Sequence, residues 1–309
     1  MDKLDVRILH DILESKATSP LDLDVRKPLS SVARRLKVDE NTVKNRIEKL
    51  RRSGFLKGWW VAVNPNLVGQ RMAQVWFDVG SSAAKRPVIQ KLSLIPGVAV
   101  IKDLFGSSLC VVLFYDSEKN FRRTTELIFS IAGSKGATWM SEPFPACEIA
   151  LSKDDFRIIR SLQKEPQRPY AGIAQELDIS SRTVKRRIRR LVDGNAIYLI
   201  AELNPRYLSG GIVCGLLVSH EVSDNKAESE GKIGLHLEDG LLFASLDDPH
   251  RGYFAFITEN VASVQEVLDW TLAQEGVSEA RIDIVQEVIS LYGVYEEQLE
   301  MLQKGSRRG

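Results

Sequence analysis

The chain has 309 residues, enough for more than one domain, and its net charge is only +1. With 44% hydrophobic and 27% charged residues, 21 glycines and 11 prolines, its composition is that of a globular protein and excludes collagen-like, low-complexity and disulfide-scaffold classes. The most apolar stretch, Gly210–Ser219, is far short of the roughly 18 residues of a membrane-spanning helix, and Met1–Asp5 is unlike a signal peptide. Cys110, Cys147 and Cys214 lie far apart with no CxxC pair. The sequence therefore predicts a cytosolic protein with no membrane partner, disulfide framework or cysteine zinc site.

In chain order, Leu4, Ile8, Leu9 and Ile12 keep helical spacing and predict a first helix. Ala17–Leu29 carries Pro20 and Pro28 and reads as a loop. A short second helix follows through Leu36, with Ser30 or Ser31 as its cap. After a tight turn at Lys37-Val38, a third helix starts near Asp39. Val43, Ile47 and Leu50 occupy its inner face, and Asn41, Lys44, Asn45, Glu48, Lys49 and Arg52 its outer one. Gly54-Phe55-Leu56 leads into strand formers at Trp59–Val63, read as a wing, in which alternation sends one of the two adjacent tryptophans into the core. Then come a strand at Met72–Val79, a helix at Lys85–Ile95 and a strand pair at Val98–Leu104 and Leu109–Tyr115 around Gly106. A helix at Glu118–Ala132 and a strand at Ala137–Leu151 complete a βαββαβ order.

The chain then repeats itself. Thr42, Val43, Lys44, Arg46, Ile47 and Leu50 have identical counterparts in Thr183, Val184, Lys185, Arg187, Ile188 and Leu191, 141 residues on. Asp5-Val6-Arg7-Ile8-Leu9 resembles Asp155-Phe156-Arg157-Ile158-Ile159 at an offset of 150, and Asn64-Pro65 matches Asn204-Pro205 at 140. Ser180 is the expected cap of the second long helix, with Val184, Ile188 and Leu191 inside and Arg182, Lys185, Arg186, Arg189 and Arg190 outside. Strands are expected at Ile212–Ser219, Leu241–Leu246, Tyr253–Thr258 and Val277–Leu291, and helices at Val261–Gln274 and Tyr295–Gln303. Asp224–Leu237, where a helix belongs, is polar and contains glycine, so this copy reads as degraded. The predicted class is α+β, with two winged helix-turn-helix domains alternating with two ferredoxin-like (βαββαβ) domains, at 1–65, 66–151, 152–206 and 207–309.

Charge is concentrated where the repeat is strongest. Residues 30–60 hold nine Lys/Arg against three acids and residues 170–200 six against three, which leaves the rest of the chain at −8. Two compact basic segments in an acidic protein fit local contact with a polyanion. A helix fits the B-DNA major groove, where Arg and Lys reach guanine and Asn pairs with adenine. The expected DNA-binding residues are Asn41, Thr42, Lys44, Asn45, Arg46, Lys49 and Arg52 in the first copy, and Arg182, Thr183, Lys185, Arg186, Arg187, Arg189 and Arg190 in the second. The second helix is the more cationic, which predicts an asymmetric operator.

The pattern Asp-x-x-Ile-Leu, then Val-Ala-x-x-Leu-x-Val-x-x-x-Thr-Val-x-x-Arg-Ile-x-x-Leu-x-x-x-Gly-x-Leu, between Asp5 and Leu56, resembles that of the Lrp/AsnC transcription regulators of bacteria and archaea. The second copy carries it with Asn195 in place of the preferred glycine. The resemblance implies a ferredoxin-like dimerisation domain after each winged domain, double-stranded DNA as partner, and either an internal pseudo-dimer or a homodimer. It also implies a small-molecule effector at a Gly-x-x-Asp turn, from which Gly106-Ser107-Ser108-Leu109 departs. Siroheme decarboxylases share the two-domain architecture, and an architectural chromatin protein is a third reading. His10, His220, His236 and His250 form no metal-ligand or nucleophile–base spacing, so the sequence predicts no catalytic residue, metal or cofactor.

Overall fold

A computed structural model describes residues 1–13, 29–147, 149–221 and 225–305. Of the predicted loop at Ala17–Leu29, only Leu29 lies among the described residues. It opens the second helix and packs on the core, which puts Ser30 and Ser31 inside that helix instead of at its cap. The first half starts with helices α1 (Lys3–Leu13), α2 (Leu29–Leu36) and α3 (Glu40–Arg52), followed by strand β1 (Leu56–Val63). Strands β2 (Arg71–Asp78), β3 (Val98–Leu104), β4 (Ser108–Tyr115) and β5 (Ala137–Ser141) follow. Helix α4 (Lys85–Leu92) lies between β2 and β3, and α5 (Glu118–Ala132) between β4 and β5. The second half repeats the series with α6 (Lys153–Lys164), α7 (Tyr170–Leu177), α8 (Ser181–Asp193) and β6 (Ile197–Leu203). After them come β7 (Ile212–His220), α9 (Lys226–His236), β8 (Leu241–Ser245), β9 (Arg251–Thr258), α10 (Val261–Leu272), β10 (Val277–Ser290) and a closing α11 (Gly293–Gly305).

Further expectations are corrected. The last strand of the first half stops at Ser141, because Pro143 and Pro145 follow it and proline cannot donate to a sheet ladder. The second ferredoxin-like copy is complete: its polar segment does form α9, since Ile233 and Leu237 are buried against β7 and β9 and that packing outweighs the poor helix propensity of its glycines.

The strand after each three-helix unit does not fold back as a wing hairpin within its own unit. β1 and β6 pair with each other, antiparallel, as a separate two-stranded sheet. Trp60 lies opposite Ile200, its own counterpart at the repeat offset of 140. A strand crossing its own repeat copy in this register marks a local pseudo-two-fold axis, so the halves are joined as a symmetric dimer would be. Trp59 and Trp60, both half-buried, point to opposite faces. Trp59 packs on the helical core, and Trp60 lies 4.2 Å from the Tyr295 ring of α11.

The other eight strands run in the order β5-β2-β4-β3-β10-β7-β9-β8, with the same strand order in each half. β10 joins them. Its residues 277–284 pair with β7 and 285–290 with β3, across a bulge at Val285/Glu287. The face of the first sheet that bears Val75, Ile101 and Val111 packs on α4 and α5. Its other face, with Trp76, Leu104 and Met140, packs on Leu217, Tyr253 and Ala255 of the second. A buried polar link, Lys102 Nζ to Gln74 Oε1 (2.6 Å) and to the Tyr253 hydroxyl (3.3 Å), spans the two. At the far edge, Asp248 Oδ2 accepts from the Ser141 amide (2.8 Å) and hydroxyl (2.7 Å). Among the described residues no helix is long and apolar enough to cross a membrane.

Candidate nucleic-acid interface

Each long outer helix is positioned by the same local devices. Lys37 and Asp178 adopt left-handed backbone at φ 54° and 56°, and the next amides close the turn, Val38 N to Ala33 O at 2.9 Å and Ile179 N to Ala174 O at 3.1 Å. Ala33 and Ala174 are buried at these turns, where a larger side chain would hold the two helices apart. α3 is capped by Asp39, which accepts from Asn41 N at 2.8 Å, and α8 by Ser180, which accepts from Thr183 N at 3.0 Å. At the exits Gly54 (φ 83°) and Asn195 (φ 57°) are both left-handed. Asparagine tolerates that region better than other side-chain-bearing residues, so the second copy keeps the bend without glycine.

The helical units share one core. Ile8, Val32 and Val43 of the first pack with Ile158, Ile173, Val184 and Ile188 of the second, joined by Leu299 of α11. α3 and α8 are thus fixed relative to one another by apolar packing as well as by the β1–β6 pair.

The expected contact residues separate into two groups. Asn41, Lys44, Asn45 and Lys49 on α3, and Arg182, Lys185, Arg186 and Arg189 on α8, are exposed, and among the described residues none of these cations is in an ion pair. Thr42 and Thr183 are half-buried, and the Thr183 hydroxyl meets the Ser180 cap at 2.9 Å. Arg52 is exposed and pairs with Glu48 at 3.0 Å. Arg46, Arg187 and Arg190 face inward chemistry instead. Arg46 Nη1 donates to Asp5 Oδ1 at 3.0 Å and also to Asp2. Arg187 Nη1 donates to Asp155 Oδ1 at 3.1 Å, and Arg190 Nη2 to Asp155 Oδ2 at 2.6 Å.

Asp5 and Asp155 are both fully buried. Each also closes the N-terminus of its own helix: Asp155 exchanges bonds with Ser152 in a capping box, and Asp5 does so with Asp2. One carboxylate therefore ties the first helix of the unit to the outer helix. Burial acts to raise the Asp155 carboxyl, but hydrogen bonds from Ser152 and the Arg187 and Arg190 guanidiniums overcome it and hold the group below the usual carboxylate range. Hydrogen bonding to Asp2 holds the Arg46 guanidinium protonated more firmly still. Asp5 and Asp155 were not among the expected site residues. Their signal was available, because Asp5/Asp155 and Arg46/Arg187 are identities at both ends of the repeat.

Each histidine has its own surroundings. His220 is buried 3.5 Å from Glu230, His236 lies flat on Trp270 at 3.9 Å, His250 is exposed, and His10 is half-buried on α1. Among the described residues no group of three His, Cys, Asp or Glu is placed to hold a metal ion.

Two three-helix units of DNA-binding type, locked about a local pseudo-two-fold axis over paired ferredoxin-like sheets, define a tandem winged-helix protein. Residues 151–197 match the family of winged helix-turn-helix DNA-binding domains. The transcriptional regulator LysM of Saccharolobus solfataricus is 29% identical over 137 residues, which is 44% of this chain and 89% of LysM. The transcriptional regulator FL11 of Pyrococcus horikoshii is 24% identical over 136 residues, 44% of this chain and 90% of FL11. Among solved structures the siroheme decarboxylase NirDL superposes over 99% of this chain and 100% of its own, with a TM-score of 0.55 at 15% identity, and so shares the fold. The chain carries a helix-turn-helix plus ferredoxin-like unit twice in one polypeptide, and over 44% of its length it is similar to these transcriptional regulators.

Proposed function

We propose that this protein is a sequence-specific, cytosolic DNA-binding regulator of transcription and not an enzyme, with α3 and α8 entering neighbouring major grooves of one duplex. One observation carries the reading: two capped, cation-bearing helices are fixed to each other by a common core and a pseudo-two-fold strand pair, and two half-sites on one duplex require helices held at a fixed spacing. Asn41, Lys44, Asn45 and Lys49 with Arg182, Lys185, Arg186 and Arg189 are assigned to DNA, with Thr42, Thr183 and Arg52 beside them. Arg46, Arg187 and Arg190 are assigned to holding the helices in place. The domain limits 1–65, 66–151, 152–206 and 207–309 accompany this proposal.

The full-length likeness to NirDL supports a second reading, a tetrapyrrole-binding enzyme. One experiment separates the readings: fluorescence anisotropy of the purified chain with its own promoter fragment and with a scrambled duplex, across a salt series. A regulator binds the promoter more tightly, and both affinities fall with salt. Equal salt-dependent binding of the two duplexes is the result of an architectural protein. No binding at low salt, followed by a spectral shift on titration with an iron tetrapyrrole, would overturn the regulator in favour of the enzyme.

A further inference from the structure

The helical layers on the two ferredoxin-like units carry opposite charge. On the α4–α5 layer of the first, Arg86, Lys91, Lys119, Arg122, Arg123 and Lys135 are exposed and, among the described residues, outside any ion pair; Asp116, Glu118 and Glu126 are the exposed acids there, and Glu118 is already paired with Arg71. On the α9–α10 layer of the second, Glu238, Glu259, Glu266, Asp269 and Glu275 are exposed and outside any ion pair. Among the described residues that layer has no unpaired base to offset them, because Lys232 pairs with Glu228, and Lys226 is buried against Glu230. Each layer also exposes large apolar side chains: Leu94 (82% exposed) and Leu127 on the basic one, Leu235 (73%), Val261 and Leu272 on the acidic one.

These layers cannot meet within one molecule. Each lies on the outer face of its own sheet, and the inner faces are already packed together. We infer that the basic layer is a docking surface for the acidic layer of a second copy of this chain, in a head-to-tail contact whose apolar centre holds Leu94 and Leu127 against Leu235, Val261 and Leu272. Complementary potential selects the partner and its orientation, and apolar burial supplies the affinity. The contact joins two different faces, so every pair leaves one of each open and association continues beyond a dimer. The proposal goes beyond DNA binding and is tested without DNA.

The test is sedimentation velocity of the full chain over a concentration series in 0.1 M and 1 M salt, where the screening lengths are about 10 Å and 3 Å. The wild type is expected to form a growing series of species at low salt, with association weakened about tenfold or more at high salt. Arg122→Glu/Arg123→Glu places like charges opposite one another, as does Glu266→Lys/Asp269→Lys, and each variant alone is expected to stay monomeric. Mixed in equal amounts, they are expected to associate again, because each supplies the sign that the other has lost. All four positions are exposed, so circular dichroism is expected to match the wild type. A wild type that stays monomeric at every concentration overturns the proposal, as do variants that assemble alone or fail to assemble when mixed. Loss of DNA affinity in Arg122→Glu/Arg123→Glu, with self-association intact, would instead make the basic layer a phosphate-contacting surface.

Discussion

The two winged-helix units and the two ferredoxin-like units descend from the same repeat but preserve different things. The winged-helix copies share the left-handed turn residue, the exit bend, the buried aspartate and its arginine, position for position. The ferredoxin-like copies share strand order, the alternation of apolar residues and fewer fixed positions: a buried lysine, Lys85 or Lys226, that donates to a leucine carbonyl, and Gly97 or Gly240 pressed against the neighbouring strand. A helix-turn-helix depends on a few residues with fixed backbone and fixed charge, whereas a sheet packed on both faces accepts many apolar combinations of suitable volume. The halves also meet unequally. β10 crosses into the first sheet, while the equivalent strand β5 stops at Ser141 and touches the second half through Asp248.

The largest expected effect tests the shared clamp. Asp155→Asn leaves Arg187 and Arg190 without their buried counter-charge and is expected to cost about 3–5 kcal/mol in urea unfolding. Asp5→Asn, which releases one arginine where Asp155 holds two, is expected to cost less, each clamp keeping a second aspartate, Asp2 on Arg46 and Asp154 on Arg187. Equal costs would break the comparison between the two clamps. The Asp155 carboxyl is held low in the folded state, so its contribution is full above the unfolded value of about 3.9 and is lost as pH falls through the folded value. An acid titration of the wild type therefore loses stability below about pH 4, and Asp155→Asn flattens that loss.

The next effect bears on the second ferredoxin-like copy. Ile233 of α9 is fully buried, and Ile233→Ala is expected to cost about 2–5 kcal/mol by the same measurement. A neutral result would mean that α9 is not packed on its sheet. Gly54→Ala places a side chain in left-handed backbone and against the Tyr207 ring, and is expected to cost about 1–2 kcal/mol. Asn195→Gly, at the matching bend, is expected to change stability by less than about 0.5 kcal/mol. The smallest effect separates the two outer helices. Lys185→Ala/Arg186→Ala is expected to flatten the salt dependence of DNA binding by up to about two phosphate contacts, and Lys44→Ala/Asn45→Ala by about one.

The helices, the cap at Ser180 and the tandem organisation were legible because each rests on local sequence: 3.6-residue spacing, a capping side chain, and identities between the copies. Exposed cations could be placed on the outer faces from spacing alone. Their pairing could not. Arg46 and Lys44 look alike as cations on one helix, and only the approach of α1 reveals that Arg46 has a buried partner. The strand after each helical unit was visible, but its pairing with its own repeat 140 residues away is a long-range choice set by the shared core. α9 was underestimated because glycine and polar content lower local propensity, while the packing of Ile233 and Leu237 is tertiary.

The central claim is that one chain presents two fixed recognition helices to two neighbouring major grooves. Hydroxyl-radical footprinting of the wild type on its own promoter tests it most directly. The account predicts two protected segments on one face of the duplex, about 10–10.5 base pairs apart centre to centre, with Lys185→Ala/Arg186→Ala weakening one of them more than the other. A single protected segment, or uniform protection along the fragment, would contradict it.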